Sequence, residues 1–156
     1  MIVVERMALA DAAEQLALQR KAFLPLYARY RDEGSPIFTP EFEMIRRIED
    51  PCGVSLKILV DGIAAGGLYA TTLRPDISEM CMSAIYIDPD FQGRGLAQML
   101  LEQLEKERPD IRHWWLKVPK EEAVNRHIYE KMGYQNTGRE SMINDRLTLL
   151  FYEKHT

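Results

Sequence analysis

The sequence predicts an α/β domain: a mixed sheet of about seven strands with helices on both faces. Three observations predict it. "VSLKILVDGIAAGGLYATTL" reads as two apolar strands about Asp61-Gly62, a pair that suits a two-residue type I′ hairpin, and "ISEMCMSAIYI" follows as another strand. Helical apolar spacing then appears twice, once after "QGRGLA" and once in "KEEAVNRHIYEKMG", with the strand-like run "HWWLKV" between. Antiparallel hairpin strands followed by helical crossovers pack most simply as a mixed sheet.

Each element has its own signals. "MIVVERM" is a first strand, after which Asp11 and Glu14 have the spacing of a capping box. Leu16, Phe23, Tyr27 and Tyr30 continue a helical stripe as far as Gly34. "SPIFTPE" leads into a second helix, with Thr39 expected as cap and Pro40 in the first turn. Met44, Ile45 and Ile48 give that helix its buried face, and a turn at Arg74-Pro75-Asp76 joins the hairpin to the next strand. The helix after the glycine loop carries Leu96, Met99, Leu100 and Leu104 on one side. In "HWWLKV" the adjacent Trp114 and Trp115 point to opposite faces, so one at least belongs to the core. Pro119 is expected to open the next helix and Gly133 to close it as a C′ residue, with "RLTLLFYEK" as the final strand. The predicted order is β-α-α-β-β-β-α-β-α-β-β.

Composition narrows the function. The 156 residues fit one domain spanning 1–156, and 46% hydrophobic with 28% charged residues lies in the globular range. The longest apolar run, "IAAGGLYA", is eight residues, too short to span a membrane. Glu5, Asp11 and Glu14 interrupt the stretch a signal peptide would need, which predicts a cytoplasmic protein. A net charge of −4 argues against a nucleic-acid partner. Cys52 and Cys81 stand alone, as reduced thiols, and the three histidines are scattered, so no metal site is expected. Cys81 lacks a local partner that would make it a nucleophile, and His127 reads as a surface histidine.

The stretch "DPDFQGRGLAQMLLEQLEKE" carries the chemistry. Gly93 and Gly95 allow unusual backbone angles and close approach to a ligand. A helix starts there, so unpaired N–H groups and the positive end of its dipole favour an anion, and Arg94 adds charge. A Walker loop would need Gly-Lys-Ser/Thr, which is absent. A dinucleotide fingerprint would need a small residue at Gln98 and an acid where His113 and Trp114 lie. Neither nucleotide reading survives.

The run Gln92-x-x-Gly95-x-Ala97, between a strand and an amphipathic helix, resembles the acetyl-CoA loop of the GNAT N-acetyltransferase superfamily. "NRHIYEKMGY", Asn125 to Tyr134, resembles its second signature, and the predicted element order matches the GNAT acyl-CoA N-acyltransferase fold. The resemblance implies that the strand before the loop splays from the next parallel strand and that the pantetheine arm of acetyl-CoA lies in the wedge. Ile85, Tyr86 and Ile87 would line the arm. Backbone N–H groups of Gly93, Arg94, Gly95, Leu96, Ala97 and Gln98, beside Gln92, would hold the pyrophosphate.

The resemblance also implies the reaction, acetyl transfer to a primary amine by direct transfer in a ternary complex. Such an amine, with a pKa near 10.4, must lose a proton, and the leaving thiolate must gain one. Tyr129 occupies the family's general-acid position, and Asn125, one turn earlier, can face the same ligand. Glu79, the single carboxylate on its strand, is a candidate base; water leading to backbone carbonyls is the alternative. If no bulge intervenes, Glu79, Cys81, Ser83 and Ile85 share one face. The acceptor site falls between "YRDEGSPIFTPE" and "GRESMINDR", where Asp32, Glu33, Glu140 and Asp145 can meet a cationic amine, small molecule or peptide. A homodimer through the terminal strands fits the family, and the rival reading is a non-catalytic acyl-CoA-sensing or partner-binding module on the same fold.

Overall fold

The computed structural model describes residues 1–74 and 76–156, so the expected turn centred on Pro75 lies outside the described residues. The chain runs β1 (Ile2–Arg6), α1 (Ala12–Tyr30), α2 (Glu41–Glu49), β2 (Gly53–Val60), β3 (Ile63–Thr71), β4 (Glu79–Ile87), α3 (Leu96–Glu107), β5 (His113–Pro119), α4 (Ala123–Lys131), β6 (Gln135–Asn144) and β7 (Leu147–His155). The order is the one the sequence predicts. All seven strands form one sheet in the order β1-β2-β3-β4-β5-β7-β6. Neighbours are antiparallel except β4 and β5, which are parallel. Among the described residues no helix is long and apolar enough to cross a membrane.

Local chemistry explains most boundaries. Asp61 and Gly62 both have positive φ, 50° and 81°, as a type I′ turn demands. Gly133, at φ 99°, ends α4 as expected. Three boundaries differ from expectation. Asp11 makes no side-chain cap to α1; its carboxylate instead accepts from the Ala8 N–H at 2.7 Å and from Lys57 Nζ at 2.9 Å, closing a 3-10 turn that precedes the helix. Thr39 ends a separate 3-10 turn, and Pro40 takes the N-cap position of α2. Pro119 finishes β5 rather than opening α4, because its carbonyl closes a turn with the Glu122 N–H.

The sheet has two differently covered faces. Val54, Leu56, Ile58, Leu68, Met80 and Met82 pack with Leu96, Leu100, Leu101 and Leu104 of α3 and Tyr129 of α4 in one buried cluster. Trp114, Leu116, Val118, Leu150 and Tyr152 extend the cluster across β5 and β7. On the opposite face, Ala12 and Leu16 of α1 meet Met44, Ile45 and Ile48 of α2. Trp114 is buried and Trp115 half-buried on the other side, as alternation requires.

One irregularity in β4 sets which of its side chains face which helix. Tyr69 pairs with Ala84 but Ala70 pairs with Met82, so Ser83 is an extra residue opposite β3. Below this bulge, Met80 and Met82 face α3; above it, Ile85 and Ile87 do. The expected common face of Glu79, Cys81, Ser83 and Ile85 is therefore broken. Glu79 and Cys81 share the α1 face with Ala84 and Tyr86, because the bulge resets the alternation.

Candidate active site

The parallel pairing of β4 with β5 stops early. Glu79↔His113, Met80↔Trp114 and Cys81↔Trp115 are paired, and nothing beyond them is, although β4 continues to Ile87 and β5 to Pro119. From Met82 to Ile87 the β4 edge turned away from β3 carries N–H and C=O groups that meet no strand. Such an edge invites an extended ligand. Past the gap β5 stays with β7, to which its other edge is paired along its whole length.

β4 leads directly into the glycine loop. The start of the loop is pinned: Asp88 N–H donates to the Ala65 carbonyl at 2.8 Å, and the Asp88 carboxylate accepts from the Asp90 N–H and pairs with Lys21 of α1. Burial would raise the Asp88 pKa, but these donors hold it below the usual carboxylate value. The end of the loop is open. Gly93 and Gly95 lie at φ 80° and 75°, where side chains are strained, and no atom approaches within 4 Å of where either would carry a Cβ. Backbone N–H groups from Gln92 to Gln98 find no protein acceptor among the described residues, and the first helical N–H that does is Met99's, bonded to Gly95. A helix N-terminus without a side-chain cap, preceded by two left-handed glycines, is a nest for an anion.

The side chains of this segment divide by role. Leu96 is buried in the core and anchors the helix start, Ala97 is half-buried, and Gln98 bonds Glu102 within the helix at 3.1 Å. Arg94 extends over the Phe91 ring at 5.2 Å, beside the open amides. Ile85 and Ile87 pack on the core beneath the wedge. Tyr86 turns its side chain to the other face, where its hydroxyl donates to Gln15 Oε1 of α1 at 2.8 Å, which leaves its backbone to line the wedge.

α4 approaches from the α3 side. Tyr129 is 7% exposed, packed edge-on to Tyr134, and burial pushes its hydroxyl pKa well above the ordinary tyrosine value. That hydroxyl makes no hydrogen bond among the described residues, yet it is not one of the sealed unpartnered groups, which are Gln15 Nε2 and Arg47 Nε. Its oxygen is therefore not wholly sealed, and its proton is unspent among the described residues. Asn125, one turn earlier, is half-buried and equally without a partner among the described residues. Arg126 holds the helix by bonding the Tyr152 hydroxyl at 3.0 Å and the Lys120 carbonyl at 3.2 Å.

On the α1 face, Glu79 lies two residues below the last β4–β5 rung and contacts His113 Nδ1 at 3.1 Å. Partial burial would favour a neutral His113, but the carboxylates of Glu79 and Glu153, one at each ring nitrogen, raise its pKa above the usual value. Cys81 occupies the last rung itself; burial raises its pKa and keeps it a thiol. Its weak contact is to Ser83 Oγ at 3.8 Å.

The two loops expected to frame an acceptor do meet. Asn144 of β6 donates to the Tyr30 carbonyl at 2.9 Å, and Tyr30 Oη and Arg29 of α1 both reach Glu122 ahead of α4. Asp32 accepts from the Gly34 N–H, and Glu140 pairs with Lys120 at 3.4 Å. Glu33 and Asp145 are exposed carboxylates with no hydrogen bond or ion pair among the described residues. Lys21, Asp88, Asn144, Glu122 and the Ser83 bulge were missed by sequence reasoning. Asp88 alone had a local signal, as the Asx residue before Pro89.

An anion-binding loop at the end of a strand that withholds hydrogen bonds from its neighbour defines a class: proteins that bind an extended, phosphate-headed ligand between two parallel strands. Residues 56–136 match the acetyltransferase (GNAT) domain, and the chain belongs to that family. It is 40% identical over 83 residues to the [ribosomal protein bS18]-alanine N-acetyltransferase of Salmonella typhimurium, a match spanning 52% of this chain and 54%, about half, of that relative. Solved structures share the whole fold. The PaiA N-acetyltransferase from Thermoplasma acidophilum, in complex with coenzyme A, superposes with a TM-score of 0.83 at 15% identity, covering 100% of this chain and 99% of that one. A Salmonella typhimurium protein with its cofactor acetyl-CoA gives 0.81 at 15% identity, covering 99% and 94%.

Proposed function

We propose that this protein transfers the acetyl group of acetyl-CoA to a primary amine by direct transfer in a ternary complex. The observation that carries the proposal is the β4–β5 gap that ends on the unpaired amides of Gln92 to Gln98. Those amides and Arg94 would hold the pyrophosphate, and the free edge from Met82 to Ile87 would hydrogen-bond the pantetheine arm. Asn125 would steady the arm from α4. At the apex, beside Cys81 and Trp115, the thioester carbonyl would be polarised by strand N–H groups.

Tyr129 would donate a proton to the departing thiolate. Its high pKa keeps it protonated at neutral pH, which the role requires. Glu79 would accept the amine's proton through water, since two residues of strand place it about 7 Å from the last rung. The amine would enter between the α1–α2 loop and the β6–β7 hairpin, where Glu33 and Asp145 carry free charge for a cationic small molecule or peptide. A homodimer would use β6, an edge strand with Met142 and Ile143 exposed.

Calorimetric titration with acetyl-CoA tests the reading. Saturable one-to-one binding that Gly95→Asp removes supports it; wild-type protein that shows no binding overturns it. Where binding holds, release of CoA on adding amine acceptors distinguishes turnover from mere sensing.

A further inference from the structure

Away from the wedge, the α1-side face of the sheet carries a second group of chemically able side chains. His113 of β5 and His155 of β7 are directly opposed across the ladder, and their rings stack at 4.5 Å with planes 12° apart. Glu153, two residues before His155 on the same face, lies 2.9 Å from His113 Nε2 and 3.7 Å from His155 Nε2. One ligand atom from each of the three residues lies within 4.8 Å of the other two. The far nitrogen of His113, Nδ1, is held at 3.1 Å by Glu79 Oε2.

Two features go beyond a surface ion pair. Both imidazoles place a nitrogen near one carboxylate, one at each of its oxygens, so three ligand atoms from two neighbouring strands are gathered together. A second carboxylate stands behind His113 and fixes its ring. A ligating histidine whose other nitrogen donates to a carboxylate is the usual outer-shell support of a metal centre.

We propose that His113, His155 and Glu153 bind a divalent transition metal, zinc above all, with Glu79 as the positioning residue for His113. The donor set decides the metal class. Two imidazoles and one carboxylate suit zinc, whereas calcium and magnesium prefer oxygen ligands throughout. Bonds of about 2.0–2.2 Å put tetrahedral ligand atoms about 3.4 Å apart, so the present spacing must contract modestly. His155 can supply that movement by swinging its ring off the stack on His113, because its side chain is 70% exposed. Three protein ligands leave a fourth position for water. Binding makes metal–ligand bonds only; the proton between His113 Nε2 and Glu153 passes to solvent. The site lies below the closed end of the wedge and shares Glu79 alone with the proposed acetyl transfer.

Calorimetric titration of the metal-free protein with zinc chloride provides the test, with cobalt(II) absorption as a second reading of ligand geometry. One zinc per chain, and His155→Ala at least tenfold weaker, is the expected result. The exposed position of His155 lets that variant fold, which a thermal melt verifies. Glu79→Gln should keep the stoichiometry and weaken binding about tenfold, as loss of outer-shell support does. A wild-type protein without saturable zinc binding overturns the site. So does a His155→Ala variant that binds zinc unchanged, which would place the metal elsewhere.

Discussion

The two halves of β4 have similar residues and different fates. From Glu79 to Cys81 the strand is paired on both sides, to β3 by Cys81 and to β5 by all three residues. From Met82 to Ile87 it is paired with β3 alone. Both halves bury apolar side chains against α3, so the difference is not one of hydrophobicity. What separates them is where backbone hydrogen bonds are left unmade. The closed half is structure; the open half, left by a missing neighbour, is the proposed binding site, and the Ser83 bulge lies near its start.

The largest effect is expected at the end of the open half. Gly95→Asp forces a side chain onto φ 75° and sets a carboxylate where the anion belongs. Acetyl-CoA affinity should fall more than about 100-fold, about 3 kcal/mol, while the thermal melt stays close to wild type. Equal binding by the variant would separate the loop from the site.

Tyr129→Phe should leave acetyl-CoA binding intact and lower kcat by about 10²–10⁴, the usual contribution of a positioned acid. Unchanged turnover would return Tyr129 to the core and leave the sensing module as the better account. The pH profile gives a second reading of the same residue. Since burial raises the hydroxyl's pKa, the acid form persists as pH rises, and kcat should show no Tyr129-dependent decline below about pH 10. An alkaline limb nearer neutrality that disappears in the phenylalanine variant would contradict this.

Gly66 pairs with Ile87 in the open half, and a Cβ there would meet the Tyr86 carbonyl oxygen at less than ordinary contact distance. Gly66→Ala should cost about 1–3 kcal/mol, seen in urea unfolding, and also weaken acetyl-CoA because β4 must shift. Loss of stability without loss of affinity would show that the open edge tolerates movement.

Asp50 braces β3 opposite the closed half, accepting from Tyr69 Oη and Thr71 Oγ1, each at 2.7 Å. Burial alone would raise its pKa, but these donors and the Cys52 N–H bring it below the ordinary aspartate value. A lowered carboxylate stabilises the fold above its unfolded pKa and loses that contribution as pH falls through the folded value. Asp50→Asn should cost about 1 kcal/mol at neutral pH and flatten the stability profile below about pH 4, with acetyl-CoA affinity unchanged. A parallel loss of affinity would mean the halves are mechanically coupled.

The order of all eleven elements, the Asp61-Gly62 hairpin and the left-handed glycines of the loop were legible because each is a local preference. Period-2 and period-3.6 burial, a turn dipeptide and residues without Cβ act within a few positions of themselves. The same locality explains why Gly95 could be singled out, whereas Tyr129 stood out only through the resemblance of "NRHIYEKMGY" to the family's second signature. Where capping went wrong, at Asp11, Thr39 and Pro119, the competing contacts came from outside the segment or from a 3-10 turn that leaves no periodic trace. Lys57, far along the chain, is what occupies Asp11.

Tertiary structure alone decided the rest. A bulge at Ser83 depends on how β3 and β4 register, so the face of Glu79 could not follow from alternation within one strand. The Tyr86 hydroxyl chose Gln15 because α1 covers that face. His113, Glu153 and His155 gather with Glu79 only when β7 inserts between β5 and β6. The sequence by itself determined which backbone angles and apolar faces each segment prefers; long-range strand pairing determined which groups from separate segments meet, and which hydrogen bonds remain open for a ligand.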